Sequence, residues 1–264
     1  MSFALLQRRV VDWAPALGVF VLGLVLWQGL VAAFDVQEFL LPKPTVIAQT
    51  FWDERSPLWH AGIYTFKEAL GGFALGAGLA ILTALVFAAY APLGTAFMPF
   101  AVAANAIPII AFAPIMNNWF GLLNPFSKMA IAAVLCYFPV MVNMLRGLTS
   151  VDPRAIELMR SYAAGRHEIF RRVRIPASMP HLFAGLKIGC VLSMIGAIVG
   201  EYFGGPLDAL GVTILNASAY SNFPLAWAGI VLASLFGILF YGAVALAERF
   251  ATPWDPSRRD FHSE

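Results

Sequence analysis

Residues able to do chemistry are scarce in this chain, and their spacing excludes most kinds of it. The 264 residues contain no GxxxxGK followed by Ser or Thr, so no P-loop cradles nucleotide phosphates. The four histidines, His60, His167, His181 and His262, fall in loops or at the ends of apolar runs and form no HExxH or Cys/His cluster. Cys136 and Cys190 sit inside apolar runs, where a thiol behaves as a small hydrophobe, so no disulfide framework is implied. There is no GxSxG and no paired carboxylate within an apolar run. What remains is Glu201 at the end of one such run, the amides Asn105, Asn117, Asn118 and Asn143, and a concentration of arginine in which five of the seventeen Lys and Arg residues lie between Arg160 and Arg174. These groups hydrogen-bond and carry charge, but they do not form a catalytic constellation. A chain of this kind is expected to be no enzyme, to hold no metal or cofactor of its own, and to bind no nucleic acid.

The elements that position these groups are apolar. Hydrophobic residues make up 60% of the sequence, against about half in soluble domains, and the mean hydropathy is +0.75. The chain reads as an all-α polytopic membrane protein with six spans, at about 14–34, 63–90, 95–119, 128–145, 182–203 and 225–250. Each is about the length needed to cross a hydrocarbon core. Residues 1–13 and 251–264 are polar ends, 14–250 is one transmembrane domain, and 150–181 is its long polar loop. A secretory signal peptide is the competing reading of 14–34, with Ala32 and Ala33 as small residues near a cleavage point. Its apolar region should run only about 7–15 residues, which favours a retained span.

The spans differ in character. Gly72, Gly76 and Ala80 recur every four residues, a flat stripe against which another helix can approach closely. Lys67 and Glu68, near the start of the same span, are expected to reach the interface or pair locally. Pro99, Pro108 and Pro114 break the third span, which therefore belongs against other helices or a wet cavity. Gly185, Gly189, Ser193, Gly196 and Gly200 form a second small-residue stripe, expected along a central pathway or a dimer seam. Residues 45–55 read as a short external helix ended by Pro57, and 204–224 as an external loop with a short helix or re-entrant piece. Arginine clusters at the start, in the central loop and at the end. The opposite loops expose only Lys43, Arg55 and Lys128, so both termini and the loop are expected to be cytoplasmic.

Within the loop, Asp152 and Pro153 should start a helix whose apolar face carries Ile156, Met159 and Ala163. Gly165 should allow a turn, and a second short helix should carry Ile169, Phe170 and Val173 before Pro176 ends it. Two short amphipathic helices need a partner surface, either headgroups or a groove on another protein.

Here the sequence resembles a known pattern. Glu157, Ala164, Phe170, Val173, Pro176 and Pro180 match the EAA loop of binding-protein-dependent ABC importer permeases, approximately EAAxxxGAxxxxxFxxVxLPxxxP. Leu158 and Met159 stand where the pattern has alanines, Ala163 where it has glycine, and Ile175 where it has leucine. The run from Asn105 to Gly121, NAIPIIAFAPIMNNWFG, is similar to the branch that handles nitrate, sulfonates, taurine and thiamine precursors. The resemblance implies a bacterial inner-membrane permease subunit working by alternating access, as a homodimer or with a close paralogue. Two ABC ATPase subunits would hold the ATP and Mg, and an external solute-binding protein would deliver the solute. It implies ATPase-coupling roles for Glu157, Met159, Ala164, Gly165, Ile169, Phe170, Val173 and Pro176. Asn105, Pro108, Asn143, Ser193 and Glu201 are the candidates for the pathway or gate, and with no arginine within a span the solute is expected to be a neutral or cationic heterocycle. The alternative from another class is a stand-alone secondary transporter or channel, for which only Glu201 offers a buried charge.

Overall fold

The computed structural model describes residues 3–90, 92–94, 96–97, 99, 103 and 108–254, with side chains from Ala14 onward. Asn105 and much of the expected span 95–119 lie outside the described residues. The helices are α1 (Phe3–Ala33), α2 (Pro44–Asp53), α3 (Arg55–Ala89), α4 (Ile109–Phe120), α5 (Pro125–Thr149), α6 (Pro153–Ser161) and α7 (Arg166–Ile169). A π-helical turn (Phe170–Arg174) leads into α8 (Ile175–Tyr202), followed by α9 (Leu210–Ala219) and α10 (Phe223–Ala251). Among the described residues there is no strand, and five helices are long and apolar enough to cross a membrane. The protein is thus all-α and polytopic.

Two boundaries differ from expectation, both at prolines. Pro57 does not end the helix of residues 45–55: a break at Glu54 separates α2 from α3, and Pro57 is the third residue of α3. In the first turn the missing N–H has no intrahelical partner to lose, so proline is tolerated there. Pro176 likewise does not stop the chain. The π turn precedes it, with the Ile175 N–H bonded to the Phe170 carbonyl, and the helix continues without a break to Tyr202.

The core is a three-helix sandwich in which α5 lies between α3 and α8. Apolar lipid tails give apolar helices no reason to leave them, so close packing and hydrogen bonds must hold the bundle. Glycine supplies the packing. A Cβ built on Gly72 would lie 2.4 Å from Ala132 Cβ, and one on Gly76 would lie 2.4 Å from the Ala133 carbonyl oxygen. On the other face, Cβ atoms on Gly185, Gly189, Gly196 and Gly200 would strike Val140, Cys136, Ala132 and Ile131 of α5 at 2.7–3.0 Å. The stripe expected along a pathway or dimer seam is therefore an intrachain contact with α5. Aromatic rings join α10 to α3, with Phe66–Phe236, Phe66–Phe240 and Phe73–Phe240 at centroid distances of 5.3, 5.4 and 5.0 Å. Such pairs each add about 0.5–1.5 kcal/mol beyond area. By contrast α1 is peripheral: its apolar window is only 6% buried, and Trp27 against Trp227 is its main ring contact.

Candidate functional site

The polar groups collect at the two ends of α8. At its N-terminal end is the loop. The Asp152 carboxylate accepts the Arg154 N–H at 2.9 Å and Pro153 takes the first helical position, so α6 begins where the sequence predicts. Its inner side, Ala155, Ile156 and Met159, is half-buried; its outer side carries Glu157 with Leu158 and Tyr162, which are 58% and 76% exposed. The helix closes in a Schellman motif: the Ala164 N–H bonds to the Met159 carbonyl and the Ala163 N–H to that of Arg160. That motif puts its C′ residue in the left-handed region, and the residue there is Ala163, at φ 56°. Gly165, expected to make the turn, is extended at φ −72° and precedes α7. Ile169 is buried within the chain, Phe170 packs against the cluster holding Met144 and Leu148, and Val173 and Pro176 are half-buried. Ile169 and Phe170 thus hold the loop to its own bundle, while Leu158 and Tyr162 remain uncovered. The Arg172–Glu168 pair at 3.2 Å is solvent-exposed, a contact of small energetic weight.

At the opposite end of α8, Glu201 is 1% exposed. Its Oε1 accepts the Thr65 hydroxyl at 2.6 Å, its Oε2 accepts the Gly211 N–H at 2.6 Å, and Thr65 Oγ1 in turn accepts the Leu210 N–H at 2.9 Å. The N-cap of α9, Ala209, has no side-chain acceptor, so Glu201 and Thr65 cap that helix from two neighbouring ones. Glu68 of α3 and Lys128 of α5 are 1% and 0% exposed and interact electrostatically with Glu201. The burial of Lys128 corrects the expectation of an exposed loop residue, and of the two readings of Glu68, interface or local pairing, its burial removes the first. The Lys128 ammonium donates to the Leu122 carbonyl, and Glu68 faces Tyr64, Glu201 and Lys128. Asn117 adds a bond from Nδ2 to the Gly200 carbonyl at 3.3 Å. Two carboxylates, an ammonium, a hydroxyl and an amide thus tie α3, α4, α5, α8 and α9 together in one buried layer.

The sequence holds a clue to this layer. Glu68 lies four residues before Gly72 and eight before Gly76, on the very face that packs against α5. Lys128 stands in the first turn of α5, where a cation opposes the helix dipole unless an acid is close by.

Among the described residues, the other pathway candidates do not join Glu201. Ser193 is fully buried and donates to the Cys190 carbonyl at 2.8 Å. Asn143 donates to the Pro139 carbonyl of its own helix at 2.8 Å and lies opposite Gly185, about 24 Å along α8 from Glu201. Pro108 is an exposed N-cap of α4. A half-buried pair, Lys187–Glu248 at 2.9 Å, links α8 to α10 nearer the loop, and no motif in the sequence singles it out.

With this architecture in view, comparison with known proteins is decisive. Residues 72–252 match the family model of the binding-protein-dependent transport system inner membrane component. The chain belongs to that family. It is an ABC importer permease, a non-enzymatic transport subunit of the inner membrane. It is 33% identical over 251 residues to the riboflavin transport system permease protein RibX of Chloroflexus aurantiacus, covering 93% of this chain and 92% of the relative. It is 32% identical to the formylaminopyrimidine transport permease protein ThiX of Halalkalibacterium halodurans, covering 89% and 93%. The putative aliphatic sulfonates transport permease protein SsuC of Bacillus subtilis is 27% identical, with 94% and 90% covered. The family matched is the one that the loop pattern resembles, and the relatives fall in the expected branch.

Proposed function

We propose that this chain is the membrane-spanning subunit of an ATP-driven importer that moves a small heteroaromatic solute, of the vitamin or vitamin-precursor class, delivered by an external binding protein. The observation that carries the solute class is 32–33% identity, across nine-tenths of the chain, to permeases named for riboflavin and formylaminopyrimidine, against 27% to one named for sulfonates. Chemistry agrees: the buried Lys128 is bonded to a carbonyl and flanked by carboxylates, so it does not offer an anion a free cation.

The power source is a separate pair of ABC ATPase subunits, since this sequence has no P-loop. Two copies of the chain, or this chain and a close paralogue, form the pathway, with the termini and the 150–181 loop on the cytoplasmic side. The loop is the coupling element. Leu158 and Tyr162, with Glu157 beside Leu158, present the outer face to the ATPase, while Met159, Ala164, Gly165, Ile169, Phe170, Val173 and Pro176 give that face its position. Glu201 sits at the external end, where it holds α9 over the bundle.

The test is recovery of partners through a C-terminal affinity tag from native membranes. A P-loop ATPase should co-purify with the intact chain and be lost on Tyr162→Ala or Phe170→Ala. An aromatic anchor in such an interface contributes about 2–4 kcal/mol. Co-purification unchanged in both variants would sink the coupling role. A second reading draws on the buried Glu68, Lys128 and Glu201, since intramembrane charges often serve ion coupling. It predicts that the chain alone moves solute in liposomes without ATP, an outcome that would replace the importer reading.

A further inference from the structure

The five arginines from Arg160 to Arg174 divide into two sets. Arg171 and Arg172 are exposed on the outer side, and Arg172 is paired with Glu168. Arg160, Arg166 and Arg174, from α6, α7 and the π turn, instead line a concavity of about 780 Å³ on the opposite side of the loop, together with His167. Its far wall is the end of α3, Ala88 to Tyr90, and its floor includes the buried Ile169. None of the three arginines meets a carboxylate among the described residues, and no carboxylate lines the concavity among them. Guanidinium groups converging over an apolar floor suit a phosphodiester, to which each can offer two donors at once.

What lies next to the concavity decides what kind of phosphodiester. Leu75, Leu79, Leu82, Val86 and Tyr90 are 42–63% exposed at steps of four, three, four and four, one continuous apolar strip down α3. Tyr90 ends that strip and also lines the concavity. An acyl chain can therefore lie along α3 while its headgroup enters the cluster of arginines. We propose that this concavity binds the headgroup of an anionic phospholipid, wedged between the end of α3 and the inner side of the 150–181 loop. Basic pockets beside membrane helices at the cytoplasmic surface have this use, and the cytoplasmic side of the loop is taken from the function proposed above. The apolar strip that runs on from Tyr90 along α3 favours a lipid over a protein partner.

The experiment is native mass spectrometry of the full-length chain in detergent, titrated with phosphatidylglycerol, phosphatidylcholine or inorganic phosphate. This readout does not need the ATPase, so its failure is separate from failure of the importer reading. Phosphatidylglycerol should bind at least tenfold more tightly than phosphatidylcholine. Arg160→Gln, Arg166→Gln and Arg174→Gln should each weaken it about fivefold. Arg171→Gln should change nothing, and Arg160→Lys should recover only part of the binding, because an ammonium keeps the charge but lacks the two-donor fork. Equal binding of the two lipids, or equal losses from Arg171→Gln and Arg174→Gln, would overturn the proposal. So would displacement of the lipid by millimolar phosphate, which would make a free anion the occupant. Loss of ATPase co-purification in the three inner variants with lipid binding intact would assign these arginines to the ATPase instead.

Discussion

The two ends of α8 handle charge in opposite ways. At the Glu201 end, charge is buried, held by an opposite charge and hydrogen-bond donors, and used to join five helices. At the loop end, charge is left wet, the helix passes through a π turn, and the backbone takes a left-handed residue that is not glycine. The first is a clamp, whose parts are expensive to remove one at a time. The second is a handle, held to the bundle by a few apolar side chains and open to partners elsewhere. The coupling role proposed above calls for both, a fixed end and a driven end.

The contrast breaks most sharply at Lys128. Lys128→Met leaves Glu68 and Glu201 buried without their ammonium and should cost about 3–5 kcal/mol, read as a large drop in melting temperature in detergent. The double variant Glu68→Gln with Lys128→Met should recover part of that loss, and strict additivity would mean that the two groups do not interact. Next is Thr65→Val, which removes a bridging hydroxyl from the α9 cap. A cost of about 1–3 kcal/mol is expected, with faster hydrogen exchange confined to the amides of residues 210–213. At the handle, Ala163→Gly should do the reverse and stabilise the loop by about 1 kcal/mol, because glycine bears φ 56° without strain. Slower limited proteolysis within 150–181 would show it. Smallest is Arg171→Gln, expected to shift stability by less than about 0.5 kcal/mol; a large shift would mean that the outer arginines are structural.

Much of the handle is legible in the local grammar of the sequence. An Asx cap, a proline at the first helical position and an apolar face at helical spacing each act over a few residues, so Asp152, Pro153 and Ile156 can be read directly. The turn cannot, because Ala163 occupies a position that propensity gives to glycine, and Gly165 two residues on is the more natural place for it. The clamp is largely hidden for a different reason. Glu68, Lys128 and Glu201 are separated by long stretches of chain, and each alone looks like an interfacial charge. Only the coincidence of Glu68 with the Gly72 and Gly76 face hints that it points inward. The small-residue stripes are legible as close-packing surfaces, but spacing says that a helix is approached, not by which helix, and α5 is the answer for both.

The π turn at Phe170–Arg174 has one more consequence, in angular terms. A π turn inserts one residue into an α-helical path, and each residue of an α-helix advances the chain by about 100°. Everything from Arg166 back through α6 is therefore rotated by that angle from where a regular helix would put it. Deleting a single residue between 170 and 174 would return the helix to ordinary pitch. It would swing the Leu158 and Tyr162 side of the loop away from its present direction while leaving its composition almost intact. In this chain the aim of the handle is set by residue count as much as by residue type.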